Sequence, residues 1–333
     1  SLLASTMLVM LSHNWVLIWL GLELNTLSVI PIIIKAHHPR STEAATKYFL
    51  IQTAAAAHIL LAGTLNTWQT GQWTLTHMNQ TPTMILTLAA MLKLGLAPLH
   101  FWYPEVMQGS TLPVALIIST WQKLAPLTLL LLISQTPSPT MLTFGLTSAL
   151  VGGWLGLNQT QTRKLLAFSS IAHMGWLISA LTLAPTLATL TLTIYILMTA
   201  TMFLTLAPMA TKTLPELALI YPSCPTLATV MLLSTLSLGG LPPLSGFMPK
   251  WLILNELMIN ELPTLATLLA LASLPSLYFY TRMTYMTALT SPPINPSTNN
   301  TWRFKPNFPS SLLVLAPLTT LLLPMTPALS HTM

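Results

Sequence analysis

Long apolar runs recur along the chain, separated by short polar or helix-breaking stretches. Their spacing predicts helices over 1–11, 14–34, 46–66, 82–101, 111–133, 141–157, 166–183, 187–207, 226–256, 263–284 and 311–330. Most runs match the roughly 20 apolar residues that a helix needs to cross a hydrocarbon layer of about 30 Å. The first run is too short for that, and because the sequence opens on Ser1 it is expected to continue from a stretch preceding that residue. The run 226–256 is too long for one ordinary span, and Gly239, Gly240, Pro242, Pro243, Gly246 and Pro249 divide it into two half-helices. Gly95 and Pro98 interrupt 82–101 in a similar way. Irregular backbone at membrane depth is tolerated only inside protein or against a water-filled cavity. The expected fold is therefore all-α, a polytopic transmembrane helical bundle with discontinuous helices, read as one membrane domain over 1–333. Helices 46–133 and 141–256 are candidates for related halves, since paired discontinuous helices are a transporter habit.

Composition supports this pattern. Only 5% of the 333 residues are charged and 53% are hydrophobic, with a mean hydropathy of +0.69. A soluble chain of this size would need far more surface charge. The net charge of +6 does not signal nucleic acid, because no clustered Lys/Arg patch accompanies it. There is no Asp and no glycine-rich phosphate loop. A single cysteine, Cys224, excludes an intramolecular disulfide, a cysteine-held iron–sulfur cluster and a multi-Cys zinc site.

The basic residues sort by side. Lys35, Arg40 and Lys47, then Arg163 and Lys164, then Lys212, then Arg303 and Lys305 fall on alternate loops, while the intervening loops carry no Lys or Arg. Positive-inside reasoning places that basic side in the matrix or cytoplasm. Arg282, near a helix end on the same side, is expected to snorkel. Three lysines remain, Lys93, Lys123 and Lys250, and all lie within apolar runs together with one acid, Glu23.

A charge at that depth costs free energy unless it is paired or hydrated, so each marks a candidate ion or proton route. Any one of these lysines could instead be a structural ion pair or a snorkelling side chain. Three cations facing one acid cannot all be neutralised pairwise, which favours a hydrated relay. A carboxylate moving toward or away from a buried amine alters its proton affinity, the requirement of a switchable carrier. His173 in AFSSIAHMGWL is a weaker relay candidate because imidazole titrates near neutrality, and a hydrogen-bonded structural histidine is the competing reading. Ser169 and Ser170 could bond to water or to helix backbone. His58 reads as structural, and His13, His37, His38 and His100 as interface or hydrated residues. Glu105 is read as solvent-facing or paired with a neighbour's cation, and Glu43 and Glu216 as partners of Lys47 and Lys212. Trp15, Trp73, Trp102 and Tyr278 read as interfacial anchors.

Five segments carry a resemblance. HNWVLIWLGLELNTLSVIP, HHPRSTEAATKYFL, KLGLAPLHFWYPEVMQG, GLNQTQTRKLLAFSSIAHMGW and GLPPLSGFMPKW, in this order, resemble the vertebrate mitochondrial NADH–ubiquinone oxidoreductase chain 2 family. The resemblance covers essentially the whole chain and implies an antiporter-like, proton-pumping membrane subunit of respiratory complex I with eleven helices. It also implies a missing start of about a dozen residues. Glu23 then matches the family's buried glutamate, Lys93 its partner on a broken helix, Lys123 the central lysine, and Lys250 the lysine beside the second break. The implied mechanism has Glu23 approach or leave Lys93, Lys123 carry the proton, and Lys250 hand it on, with water and Ser/Thr hydroxyls bridging the gaps. No cofactor is expected on this chain: NADH, FMN, iron–sulfur clusters and ubiquinone would belong to other subunits. The implied partners are the mitochondrially encoded membrane subunits, accessory subunits and membrane lipids, cardiolipin among them, with no nucleic acid. The implied location is the mitochondrial inner membrane with the basic loops on the matrix side. Two other functions fit the same charges, an independent cation/proton antiporter and a structural subunit that transmits conformation without carrying protons.

Overall fold

The computed structural model describes residues 1–75, 78–133, 139–209, 211–220, 224–288 and 310–325. His77, His331, Arg303 and Lys305 lie outside these residues, as does most of the predicted loop 285–310. Among the described residues the secondary structure is helical apart from two isolated bridges, and seven helical segments are long and apolar enough to cross a membrane, counting Leu112–Ile133 with its short internal turn as one. The chain divides into two compact units, Ser1–Ser148 and Ala149–Met333.

The first unit holds α1 (Leu2–Leu11), α2 (Trp15–Ile34), α3 (Pro39–Thr70), α4 (Gln80–Leu94), α5 (Trp102–Gly109), α6 (Leu112–Ser119) and α7 (Leu124–Ile133). α2 starts where the Asn14 side chain accepts the Val16 N–H at 3.0 Å, satisfying one of the donors a helix start leaves open. α3 begins at Pro39, seven residues before the predicted boundary, because Pro sits at its first position and the His38 ring accepts the Arg40 N–H at 3.2 Å. Arg40 and Lys47 are therefore helical rather than in a loop. The predicted loop at 102–110 is largely α5, the second half of the broken helix that starts with α4.

The second unit takes in the end of α8 (Pro139–Leu157), then α9 (Thr162–Leu183), α10 (Pro185–Leu206), α11 (Pro225–Gly239), α12 (Phe247–Ile259), α13 (Pro263–Ala288) and α14 (Ser311–Leu321). α9 is the core helix of this unit, with 94% of its apolar window buried. That burial accounts for its small and hydroxyl residues: Ser169, Ser170, Ser179 and Thr182 each donate to a carbonyl three residues back in the same helix. Arg282 has specific acceptors at a neighbouring helix end. Its guanidinium reaches back to donate to the Leu157 and Gln159 carbonyls at 2.8 and 2.6 Å, a cationic cap on the negative end of α8.

Trp15 and Trp102 are buried within the chain, whereas Trp73 and Tyr278 are exposed. Trp15 stacks on Trp73 with ring centroids 5.9 Å apart and lies against the notch left by Gly63.

Both predicted helix breaks are built in the same way. α4 ends at Gly95 (φ +72) and α11 at Gly240 (φ +78), left-handed conformations that suit glycine. The Gly95 N–H donates to Leu92 and the Leu96 N–H to Met91, and the Gly240 N–H donates to Ser237 and the Leu241 N–H to Leu236. Gly-Leu-Ala-Pro-Leu follows in the first case and Gly-Leu-Pro-Pro-Leu in the second, and helix resumes seven residues after each glycine.

Candidate functional site

In the first unit, Lys93 lies on the last turn of α4, where the Gln52 amide donates to its carbonyl at 3.4 Å. Its side chain is 7% exposed and its ammonium has no hydrogen-bond partner. Lys123, 3% exposed, closes a short 3₁₀ turn, Trp121–Lys123, that separates α6 from α7. The sequence predicts one continuous helix over 111–133; the interruption follows from Pro126. Proline offers no N–H to the carbonyl four residues back, that of Gln122, and its ring crowds it. The turn sets the Lys123 ammonium 5.3 Å from the centroid of the Tyr103 ring, a cation–π distance.

Lys93 and Lys123 line one cavity of about 20 Å³ together with Tyr48, Gln52, Tyr103 and Gln122. About 10–15 Å³ is enough for one water, provided polar partners surround it, as they do here. Glu23, on α2, stays outside direct pairing. No ion pair joins it to Lys93 among the described residues, and its buried Oε2 has no hydrogen-bond partner.

In the second unit, Lys250 on α12 turns back across the helix break, and its Nζ donates to the Gly239 carbonyl at 2.9 Å. The bond places a cation at the C-terminal end of α11, where the helix dipole favours it. Gly240 makes room, since a Cβ there would lie 2.9 Å from the Lys250 ammonium. Lys250 and His173 line a second cavity of about 20 Å³ with Trp176, Thr191, Tyr195 and Pro249. The Tyr280 hydroxyl and His173 Nε2 are 3.3 Å apart, so α13 helps to orient the imidazole. The five residues singled out from sequence thus fall into two groups: Lys93 and Lys123 share a cavity beside Glu23, and His173 shares one with Lys250.

Other polar candidates settle locally. Lys47 bridges Glu43 at 2.5 Å and Glu105 at 2.6 Å, all three exposed, so Glu105 pairs within this chain. Glu216 accepts the backbone N–H of Lys212 at 2.7 Å rather than its ammonium. That hydrogen bond holds the Glu216 carboxyl below the usual carboxylate range. His58 is exposed and bonds to the Ala54 carbonyl. His100 is buried at the first helix break rather than at an interface. Among the described residues no three His, Cys, Asp or Glu side chains gather as a metal site. Sequence reasoning overlooked Asn25, Gln122 and Tyr280, and among these only Gln122 carried a signal, its place beside Lys123 and four residues before Pro126.

Comparison with known proteins agrees with this architecture. Residues 12–275 match the family described as NADH:quinone oxidoreductase/Mrp antiporter, TM, and residues 277–330 match NADH dehydrogenase subunit 2 C-terminus. NADH-ubiquinone oxidoreductase chain 2 of Varanus melinus is 52% identical over 99% of this chain and 97% of its own length. The Carassius auratus protein of the same name is 52% identical over 99% and 95%, and that of Gallus gallus 48% over 98% and 95%. A chain in the structure of respiratory complex I from Thermus thermophilus with bound aureothin superposes with a TM-score of 0.84 at 29% identity, covering 98% of this chain and 77% of that one. A chain of the Mrp complex from Dietzia sp. DQ12-45-1b shares the fold, with a TM-score of 0.82 at 15% identity over 98% of this chain and 74% of that one. A matched span from the first broken helix through the second, joined to a chain 2-specific C-terminus and near-full-length relatives of one name, leaves a single assignment: the chain belongs to the NADH-ubiquinone oxidoreductase chain 2 family, the antiporter-like membrane subunits of respiratory complex I.

Proposed function

We propose that this chain moves protons through the mitochondrial inner membrane as part of NADH:ubiquinone oxidoreductase, with its basic loops facing the matrix. The observation that carries this reading is the water-sized cavity lined by both Lys93 and Lys123, two buried lysines from apolar stretches of the same unit that also holds Glu23. The cavity has room for a water, and in this reading water there carries a proton between the two amines. Moving Glu23 toward Lys93 favours the protonated amine there, and moving it away favours release toward Lys123. Lys250 and His173 form a second carrier pair around their own cavity. NADH, FMN, iron–sulfur clusters and ubiquinone act in other subunits of the assembly, and the energy reaches this chain as an electrostatic or conformational change. Neighbouring subunits and lipids, cardiolipin included, cover its exposed apolar faces.

Lys123→Met keeps an unbranched side chain one atom shorter and removes its charge. In the assembled enzyme reconstituted into vesicles, this variant is expected to continue oxidising NADH while translocating fewer protons per electron. An unchanged ratio would remove Lys123 from the path and favour a purely structural role.

A further inference from the structure

Asn25 and Gln122 form a reciprocal amide pair whose role is separate from proton carriage. Asn25 Nδ2 donates to Gln122 Oε1 at 3.0 Å, and Gln122 Nε2 donates back to Asn25 Oδ1 at 3.2 Å. The Tyr48 hydroxyl adds a third, longer bond to the same Gln122 oxygen at 3.4 Å. Asn25 is 3% exposed, in a short polar stretch with Glu23, Thr26 and Ser28 on a helix that is otherwise apolar. Withdrawing the buried Asn25 amide and the half-buried Gln122 amide from water is unfavourable unless their bonds are completed, and here each amide bonds the other.

Placement gives the pair its meaning. Gln122 is the middle residue of the 3₁₀ turn that ends in Lys123, and it lines the cavity shared by Lys93 and Lys123. Pro126 has removed the α-helical bond that would otherwise fix the Gln122 carbonyl, so this stretch lacks the rigidity of a regular helix. Asn25 lies two residues from Glu23 on α2. The amide pair therefore fastens the turn carrying one charged residue to the helix carrying another, across 97 positions of sequence.

We propose that Asn25 and Gln122 are positioning residues for Lys123, linking it mechanically to the helix that bears Glu23. A carboxamide carries no titrating proton at physiological pH, so the pair transmits position and not charge. Displacement of α2 that moves Glu23 relative to Lys93 also pulls on the Lys123 turn, which lets one motion act on both lysines. The proposal rests on the relay reading given above.

The test uses the full respiratory assembly carrying Asn25→Leu with Gln122→Met. Both amides become apolar side chains of similar size, so neither amide is left without its partner and packing is retained; only the Tyr48 hydroxyl loses its longer bond to Gln122. The expected result is an assembled enzyme that oxidises NADH but translocates fewer protons per electron, approaching Lys123→Met. The exchanged pair, Asn25→Gln with Gln122→Asn, keeps two facing amides of the same combined length and is expected to recover most of the native ratio. A native ratio in the apolar pair, with Lys123→Met depressed, overturns the positioning role and leaves the relay intact. A native ratio in Lys123→Met overturns the relay and this inference with it. Loss in both the apolar and the exchanged pair also overturns positioning, and assigns Gln122 a direct part in the cavity. If the apolar pair fails to assemble, Asn25→Ser breaks the pair with a smaller change; it is expected to lower the ratio, and a native ratio there is equally fatal.

Discussion

Gly71 and Gly240 have nearly the same backbone, φ +71 and +78, and both end a helix, but their surroundings differ completely. A Cβ on Gly71 would meet nothing within 4 Å, while one on Gly240 would press on the Lys250 ammonium at 2.9 Å. The left-handed conformation alone costs a residue with a Cβ about 1–2 kcal/mol. Gly71→Ala is therefore expected to lower the thermal stability of the assembly by about that amount and to leave the proton-to-electron ratio alone. Gly240→Ala adds displacement of Lys250 and is expected to lower the ratio as well, and equal ratios in the two variants would show that Lys250 needs no fixed place. At this scale the sequence was informative about chemistry and poor about partners. A lysine inside an apolar run is conspicuous, so Lys93, Lys123 and Lys250 stood out. Asn25 did not, because a single amide on an apolar helix is unremarkable until Gln122 is seen opposite it.

The elements were legible wherever apolar length and glycine–proline punctuation decide them, which covers the spans and both discontinuous helices. The interruption at Trp121–Lys123 was hidden because its cause, Pro126, lies downstream inside what reads as uninterrupted helix. Likewise, Pro39 and the His38 cap extend α3 into polar sequence that hydropathy treats as loop. Arg282 shows the same difficulty for a side chain: proximity to a helix end suggests snorkelling, and the actual acceptors, Leu157 and Gln159, are on another element. Hydrogen bonds to a charged donor contribute about 1.5–3 kcal/mol each. Arg282→Met is expected to loosen the end of α8, seen as faster amide exchange over 158–161. Unchanged exchange would mean that the cap contributes nothing to that connection.

For the whole molecule, membership of the chain 2 family bears on whether proton movement needs the rest of the enzyme. The chain purified alone into vesicles is expected to show no proton exchange driven by a sodium or potassium gradient. Sustained exchange would reassign it as an independent antiporter, for which the same buried lysines would serve. The pairing of residues into two cavities was beyond the sequence, since it depends on which faces of α4, α9 and α12 turn inward. One feature of the second unit bears on how a proton could travel at all. Ser169, Ser170, Thr191, Thr199 and Thr201 all spend their hydroxyl hydrogens on carbonyls of their own helix. A hydroxyl passes a proton along a chain only by receiving at one lone pair while giving up its own hydrogen. While so committed, these groups are dead ends for conduction, so the proposed relay has to run through amine, imidazole and water, with the helix walls as insulation.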